Sequence, residues 1–137
     1  MTRPAVHLFA ASLVLALAGP AAAAPNTSPA ALLADYTAKA GAPASPERGE
    51  KLFNTNFGKS LGFSCASCHT ATPQKSGRHA LTDKRIAPLA PAANPARFTD
   101  RTAVEFNFGI NCKDVVGREC TPGEKADVLS WLLSLKP

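Results

Sequence analysis

The sequence predicts an all-α domain in which helices and long loops wrap a bound group. Three observations predict it. Beyond residue 25 there are only six Val or Ile residues (Ile86, Val104, Ile110, Val115, Val116 and Val128), too few β-branched aliphatics to fill a sandwich or barrel. Ser-Pro or Thr-Pro pairs stand at 28–29, 45–46 and 121–122, each a side-chain cap followed by proline at the first helical position. The 12 prolines and 9 glycines keep regular elements short, and the modest core of such a chain calls for help from a disulfide, a metal or a cofactor.

A chain of 137 residues holds one domain, with room for a short leader. Its 45% hydrophobic content excludes wholesale disorder, and 18% charged residues exclude a coiled coil. Four cysteines are too few for a disulfide-dense miniprotein.

The leader reads as an export signal. Arg3 and the amino terminus are positive, an apolar run follows from about Val6 to Ala18, and Gly19-Pro20 breaks it before an alanine run. Ala21-Ala22-Ala23 and Ala22-Ala23-Ala24 both suit signal peptidase. The expected boundaries are a cleaved signal at 1–23, cut after 23 or 24, and a domain at 24–137. The apolar run is short for a bilayer span, which needs about 20 residues. Removal of Arg3 lowers the formal charge from +5 to +4. The expected location is the periplasm, as a soluble protein in an oxidising compartment where disulfides persist.

Each element has its own signal. Ser28-Pro29 opens a helix that Leu32, Leu33, Tyr36 and Ala40 continue, and Gly41 stops it near residue 40. Ser45-Pro46-Glu47 opens a second, to about Asn54. Residues 70–98 carry Pro73, Pro88, Pro91 and Pro95 with little periodicity; a loop that long in a compact domain wraps something or serves a function. Thr99 or Asp100 caps a short helix to about Phe108. Thr121-Pro122-Gly123-Glu124 is a capping box for a last helix near 122–135. Its apolar face holds Val128, Leu129, Trp131, Leu132, Leu133 and Leu135.

Cys65-Ala66-Ser67-Cys68-His69 is C-x-x-C-H, the attachment sequence for a c-type haem. Thiols one helical turn apart reach the two vinyl groups of one haem, and His69 then binds its iron. Export agrees, since this attachment happens outside the cytoplasm. A zinc site would need a second pair of ligands at suitable spacing, and Cys112 and Cys120, with seven residues between them, are poorly spaced for a knuckle. A thioredoxin-like motif would need a βαβ context. A structural disulfide is the remaining alternative.

Just upstream, Gly49 and Phe53 form the Gly-x-x-x-aromatic pattern of the first core helix of class I cytochromes c, which the chain resembles. In that family the glycine permits a close helix crossing, and the aromatic packs on an aromatic of the last helix, here Trp131. The sixth iron ligand departs from the common methionine, because the single methionine is Met1. His79, Lys113, Asn111 or an open site remain.

Residues 84–137 contain Ile86-Ala87-Pro88-Leu89-Ala90-Pro91, Arg97-Phe98-Thr99-Asp100, Asn111-Cys112 and Gly117-Arg118-x-Cys120-Thr121-Pro122-Gly123-Glu124-Lys125-Ala126-Asp127. This run, with Ser28 through Phe53, resembles the sphaeroides haem protein family of small exported class I-type monohaem cytochromes c. The resemblance implies an all-α class I cytochrome c-like domain around one covalent haem c. It carries thioether attachment to Cys65 and Cys68, proximal iron ligation to His69 and sixth ligation of the ferric iron to Asn111. It also implies a Cys112–Cys120 disulfide; paired thiols in an oxidising compartment suit that bond. Loop 54–63 differs from the family.

The function implied is one-electron transfer with a redox-labile sixth ligand, which lets the ferrous haem bind O2, NO or CO. The reading favours a carrier and gas-binding protein over an enzyme. A small terminal enzyme reducing oxygen, peroxide or a nitrogen oxide, or a gas sensor, is the alternative. The implied partner is a di-haem or membrane-bound cytochrome, with a diatomic gas as ligand and the protein as a monomer. Lys75, Arg78, Lys84 and Arg85 could steer an acidic redox partner. Nucleic acid is excluded by export and by the lack of a basic recognition motif.

Overall fold

A computed structural model describes residues 24–59 and 62–137. The expected export signal at 1–23 lies outside the described residues. No helix among the described residues is long and apolar enough to cross a membrane.

The elements run α1 (Pro29–Ala40), α2 (Pro46–Asn54), α3 (Ala66–His69), β1 (Gly77–Arg78), β2 (Arg85–Ile86), α4 (Arg101–Val116) and α5 (Pro122–Ser134). The caps explain the starts. Ser28 Oγ accepts from the Ala31 N–H, Ser45 Oγ from Arg48, Asp100 from Ala103 and Thr121 from Glu124. Gly41 ends α1 at φ 65°, a left-handed position that costs glycine nothing.

Two expectations are corrected. The helix expected to end near Phe108 runs on to Val116. Gly109 costs about 1 kcal/mol inside a helix, but burial of Cys112, Val115 and Val116 beyond it outweighs that cost. The true stop is Gly117, at φ 81°. Asn111 therefore stands on a helix rather than in a loop. Within the expected 70–98 loop, β1 and β2 form an antiparallel hairpin pairing Gly77 with Ile86 and Arg78 with Arg85.

The core is organised by α5, which packs on both α1 and α2. Leu32, Ala126, Leu129 and Leu132 are fully buried, with Tyr36, Phe53 and Trp131 nearly so. The Phe53 and Trp131 rings meet with centroids 4.9 Å apart. Beside them Arg48 Nε and a terminal nitrogen each donate to Asp127, both at 2.7 Å. The Ser45 N–H also donates to Asp127, at 2.7 Å. The buried carboxylate is thus satisfied, while Arg48 keeps a largely exposed side chain. On the other side Glu105 of α4 accepts from Tyr36 of α1 and Lys125 of α5, both at 2.7 Å. Three helices are tied at one carboxylate.

Candidate functional site

A cavity of about 650 Å³ opens between α3, the hairpin, the 86–98 segment and α4, with Val128 and Leu132 of α5 in its wall. That is within the roughly 300–1,000 Å³ of cofactor sites. Cys65, Cys68 and His69 line it, as do Asn111 and His79.

The α3 turn carries the attachment motif. Cys65 and Cys68 are free thiols, half-buried in the cavity wall. Burial pushes the Cys65 thiol up to about 11, so it stays neutral at physiological pH. Burial, with the Arg97 charge adding to it, pushes His69 down to about 4. The imidazole is thus uncharged, with a lone pair for a metal. Its Nδ1 is buried without a hydrogen-bond partner among the described residues. Such a buried polar atom calls for a partner beyond the described residues. The thiols, the cavity and this imidazole together fit a haem c.

The backbone around the motif is under constraint. Thr70, directly after His69, has φ 63° and ψ 156°, a region almost confined to glycine. Phe98, also in the cavity wall, has φ 61°. Each such residue costs on the order of 1–3 kcal/mol and tends to mark a functional site. The hairpin is seated on the motif itself. A methyl group on Gly77 would lie 1.9 Å from the Cys68 carbonyl oxygen. The Ala80 N–H donates to Cys68 Sγ at 3.3 Å.

The α4 helix presents Asn107, Asn111 and Asp114 to the cavity at i, i+4 and i+7 spacing. Of the other sixth-ligand candidates, Lys113 stands apart from the cavity lining and pairs with Glu119 at 3.2 Å. His79 is exposed; its Nδ1 accepts from the Leu81 and Thr82 N–H groups at 3.3 and 3.4 Å, which leaves Nε2 free. Cys112 and Cys120 are joined, with the sulfurs 1.97 Å apart, so neither is available to a zinc site with Cys65 and Cys68. Closing that loop stabilises by about 2–3 kcal/mol in the chain-entropy model. The bridge anchors the end of α4 next to Asn111.

Arg97 has no role assigned from the sequence. Its half-buried guanidinium lines the cavity and donates to Pro88 O at 2.9 Å and Ala87 O at 2.6 Å. It has no carboxylate partner among the described residues. A partly desolvated cation held only by carbonyls suits an anionic group in the cavity. A haem offers two propionates. The available signal was a lone arginine in the apolar, proline-rich run 86–98. Asp114 lies beyond the helix end expected near Phe108, and Asn107 lies inside that expected helix with no signal of its own facing the cavity.

Residues 39–132 match the family described as a domain of unknown function, DUF1924. The chain is 55% identical over 118 residues to the cytochrome c-type protein SHP of Cereibacter sphaeroides, covering 85% of this chain and 90% of that one. It is 43% identical over 88 residues to cytochrome c'' of Methylophilus methylotrophus, covering 63% of this chain and 61% of that one. Among solved structures, oxidised SHP, described as an oxygen-binding cytochrome c, superposes with a TM-score of 0.73 at 52% identity. It covers 80% of this chain and 98% of SHP. Oxidised cytochrome c'' superposes with a TM-score of 0.73 at 37% identity, over 80% of this chain and 95% of that one.

Proposed function

The chain belongs to the sphaeroides haem protein family of c-type cytochromes and carries a covalent haem c, and we propose that it moves single electrons and takes up a diatomic gas when reduced. One observation carries the reading. His69 and Asn111 line one cavity in a chain whose single methionine is Met1.

Bound haem supplies a one-electron iron couple and, when ferrous and five-coordinate, a site for O2, NO or CO. Cys65 and Cys68 hold it by thioethers, and His69 gives the proximal nitrogen. Asn111 offers an amide oxygen, a hard and neutral donor that suits ferric iron and binds ferrous iron poorly. Asn111 would therefore favour ferric iron and give way to a gas in the ferrous state. The disulfide fixes the end of α4 and so would keep the Asn111 side chain near that position. Arg97, half-buried in the cavity wall, would pair with a propionate.

Residues 1–23 direct export, and cleavage after 23 or 24 leaves a periplasmic domain from residue 24 or 25. The protein works as a monomer with a di-haem or membrane-bound cytochrome as redox partner.

The test is anaerobic carbon monoxide titration of the reduced protein, followed by visible absorption. Stoichiometric uptake with a high-spin starting spectrum is expected. A low-spin ferrous haem that ignores carbon monoxide would refute the gas-binding half.

A second reading, a small terminal reductase, has one feature in its favour. Asp114 places a carboxylate at the same wall, three residues after Asn111, where it could deliver protons. Sustained oxygen consumption that falls in Asp114→Asn would support it.

A further inference from the structure

Tyr36 is the single tyrosine of the chain, and it is only 2% exposed. Its hydroxyl donates to Glu105 Oε1 at 2.7 Å, and Lys125 Nζ donates to the other oxygen of that carboxylate, also at 2.7 Å. Burial pushes the phenol up, and the hydrogen bond to Glu105 adds to the effect. The hydroxyl therefore keeps its proton at physiological pH, with an acceptor for that proton already bonded to it.

One side chain separates this ring from the haem cavity. Tyr36 and Phe108 meet edge to face with centroids 6.1 Å apart, and Phe108 lines the cavity. On its other side Tyr36 borders a second cavity of about 420 Å³, shared with Lys39, Arg101, Glu105 and Lys125. Lys125 Nζ lies 5.5 Å from the centroid of each of the two rings. A cation there makes a positively charged ring radical costly. Loss of an electron from Tyr36 is thus coupled to loss of its proton to Glu105.

Trp131, the single tryptophan, has a comparable route through Phe53, which also lines the cavity. It lacks the acceptor. Among the described residues the side-chain hydrogen bond at Trp131 is from Ser134 Oγ to its carbonyl, and none is made by its ring nitrogen. Of the two oxidisable side chains, only Tyr36 has somewhere to send its proton.

A single haem stores one electron, in its ferrous iron, whereas reduction of a peroxide takes two. We propose that Tyr36 is a redox-active residue that supplies the second electron, through Phe108, when hydrogen peroxide meets the ferrous haem, and that Glu105 receives its proton. This rests on the haem and the open ferrous face described above and adds a second electron store to the chain. The O–O bond breaks. The iron gives one electron and becomes ferric. Tyr36 gives the other and becomes a neutral phenoxyl radical, its proton passing to Glu105. The two oxygens leave as two waters, with two protons from solvent. Two electrons from the redox partner, delivered one at a time, return the iron to ferrous and the radical to Tyr36, which takes its proton back from Glu105.

The test mixes the reduced, haem-loaded protein anaerobically with an equimolar amount of hydrogen peroxide and freezes it rapidly for electron paramagnetic resonance. Carbon monoxide uptake is measured on the same samples. Wild type gives an organic radical whose spectrum narrows when the protein is made with ring-deuterated tyrosine and is unchanged with ring-deuterated tryptophan. Tyr36→Phe, which keeps the ring and its packing, loses this signal. Glu105→Gln lowers its yield by about tenfold or more, because the base is gone. A signal that survives Tyr36→Phe, or one that narrows with tryptophan rather than tyrosine, overturns the proposal. So does a wild-type yield in Glu105→Gln, or peroxide consumed by wild type with no protein radical. Carbon monoxide uptake without a tyrosine radical overturns the relay and leaves the gas-binding reading standing. A tyrosine radical in a protein that takes up no carbon monoxide supports the relay and removes the gas-binding reading.

Discussion

Gly49 and Asp127 cross so closely that a methyl group on Gly49 would sit 2.0 Å from the Asp127 carbonyl oxygen. The obstacle is backbone, so it cannot rotate aside. This crossing sets the distance between α2 and α5, and with it the Phe53–Trp131 contact beside His69. The Phe53 and His69 ring centroids are 6.3 Å apart.

Gly49→Ala is therefore expected to push α2 off α5. Overpacking of this kind costs about 1–3 kcal/mol, and more when backbone must move. Urea unfolding should show the loss. The visible spectrum should change too, because Phe53 moves against His69. An unchanged midpoint would mean that the helices do not meet this closely.

Acid should weaken the α5 start. The hydrogen bond from Arg118 holds the Glu124 carboxyl below its ordinary value, with the Thr121 N–H adding to the effect. A carboxyl lowered in the folded state contributes stability that is fully present above its unfolded value, near 4.5. That stability is lost as pH falls through the lower folded value. Urea midpoints should hold from neutral pH down to about 5 and then drop. Glu124→Gln should lower the neutral midpoint and flatten the acid limb. A wild-type-like acid limb in that variant would remove Glu124 from the account.

Arg97 should raise the reduction potential, since its positive charge opposes the extra charge of ferric iron. Arg97→Leu should lower the potential on the order of 60 mV, a tenfold change in a one-electron equilibrium. Spectroelectrochemical titration reads this directly. Arg97→Lys should recover part of the shift through its charge, without both carbonyl bonds. A potential unmoved by Arg97→Leu would separate this guanidinium from the haem.

The helix starts were legible because their signals are local. Ser28-Pro29, Ser45-Pro46 and the Thr121–Glu124 box need only neighbouring atoms to act. The attachment motif was legible because its spacing is its chemistry. The run of α4 past Gly109 was not, because packing of Cys112, Val115 and Val116 overrides a weak propensity. The hairpin was hidden as well: two-residue strands carry no alternation, and Gly77 is fixed by Cys68 rather than by its own neighbours. Arg97 stayed silent because its role depends on Pro88 and Ala87, nine and ten residues upstream.

The central claim is a sixth ligand held in one oxidation state. Resonance Raman spectra of the ferric and ferrous forms, in wild type and in Asn111→Ala, test it most directly. The ferric wild type should be six-coordinate without a methionine signature, and the ferrous form high-spin and five-coordinate. In Asn111→Ala the ferric haem should become five-coordinate or water-ligated, with the ferrous spectrum nearly unchanged. Spectra of both states that are indifferent to Asn111→Ala, together with loss of the sixth ligand in His79→Ala, would contradict the account and make this a bis-histidine carrier.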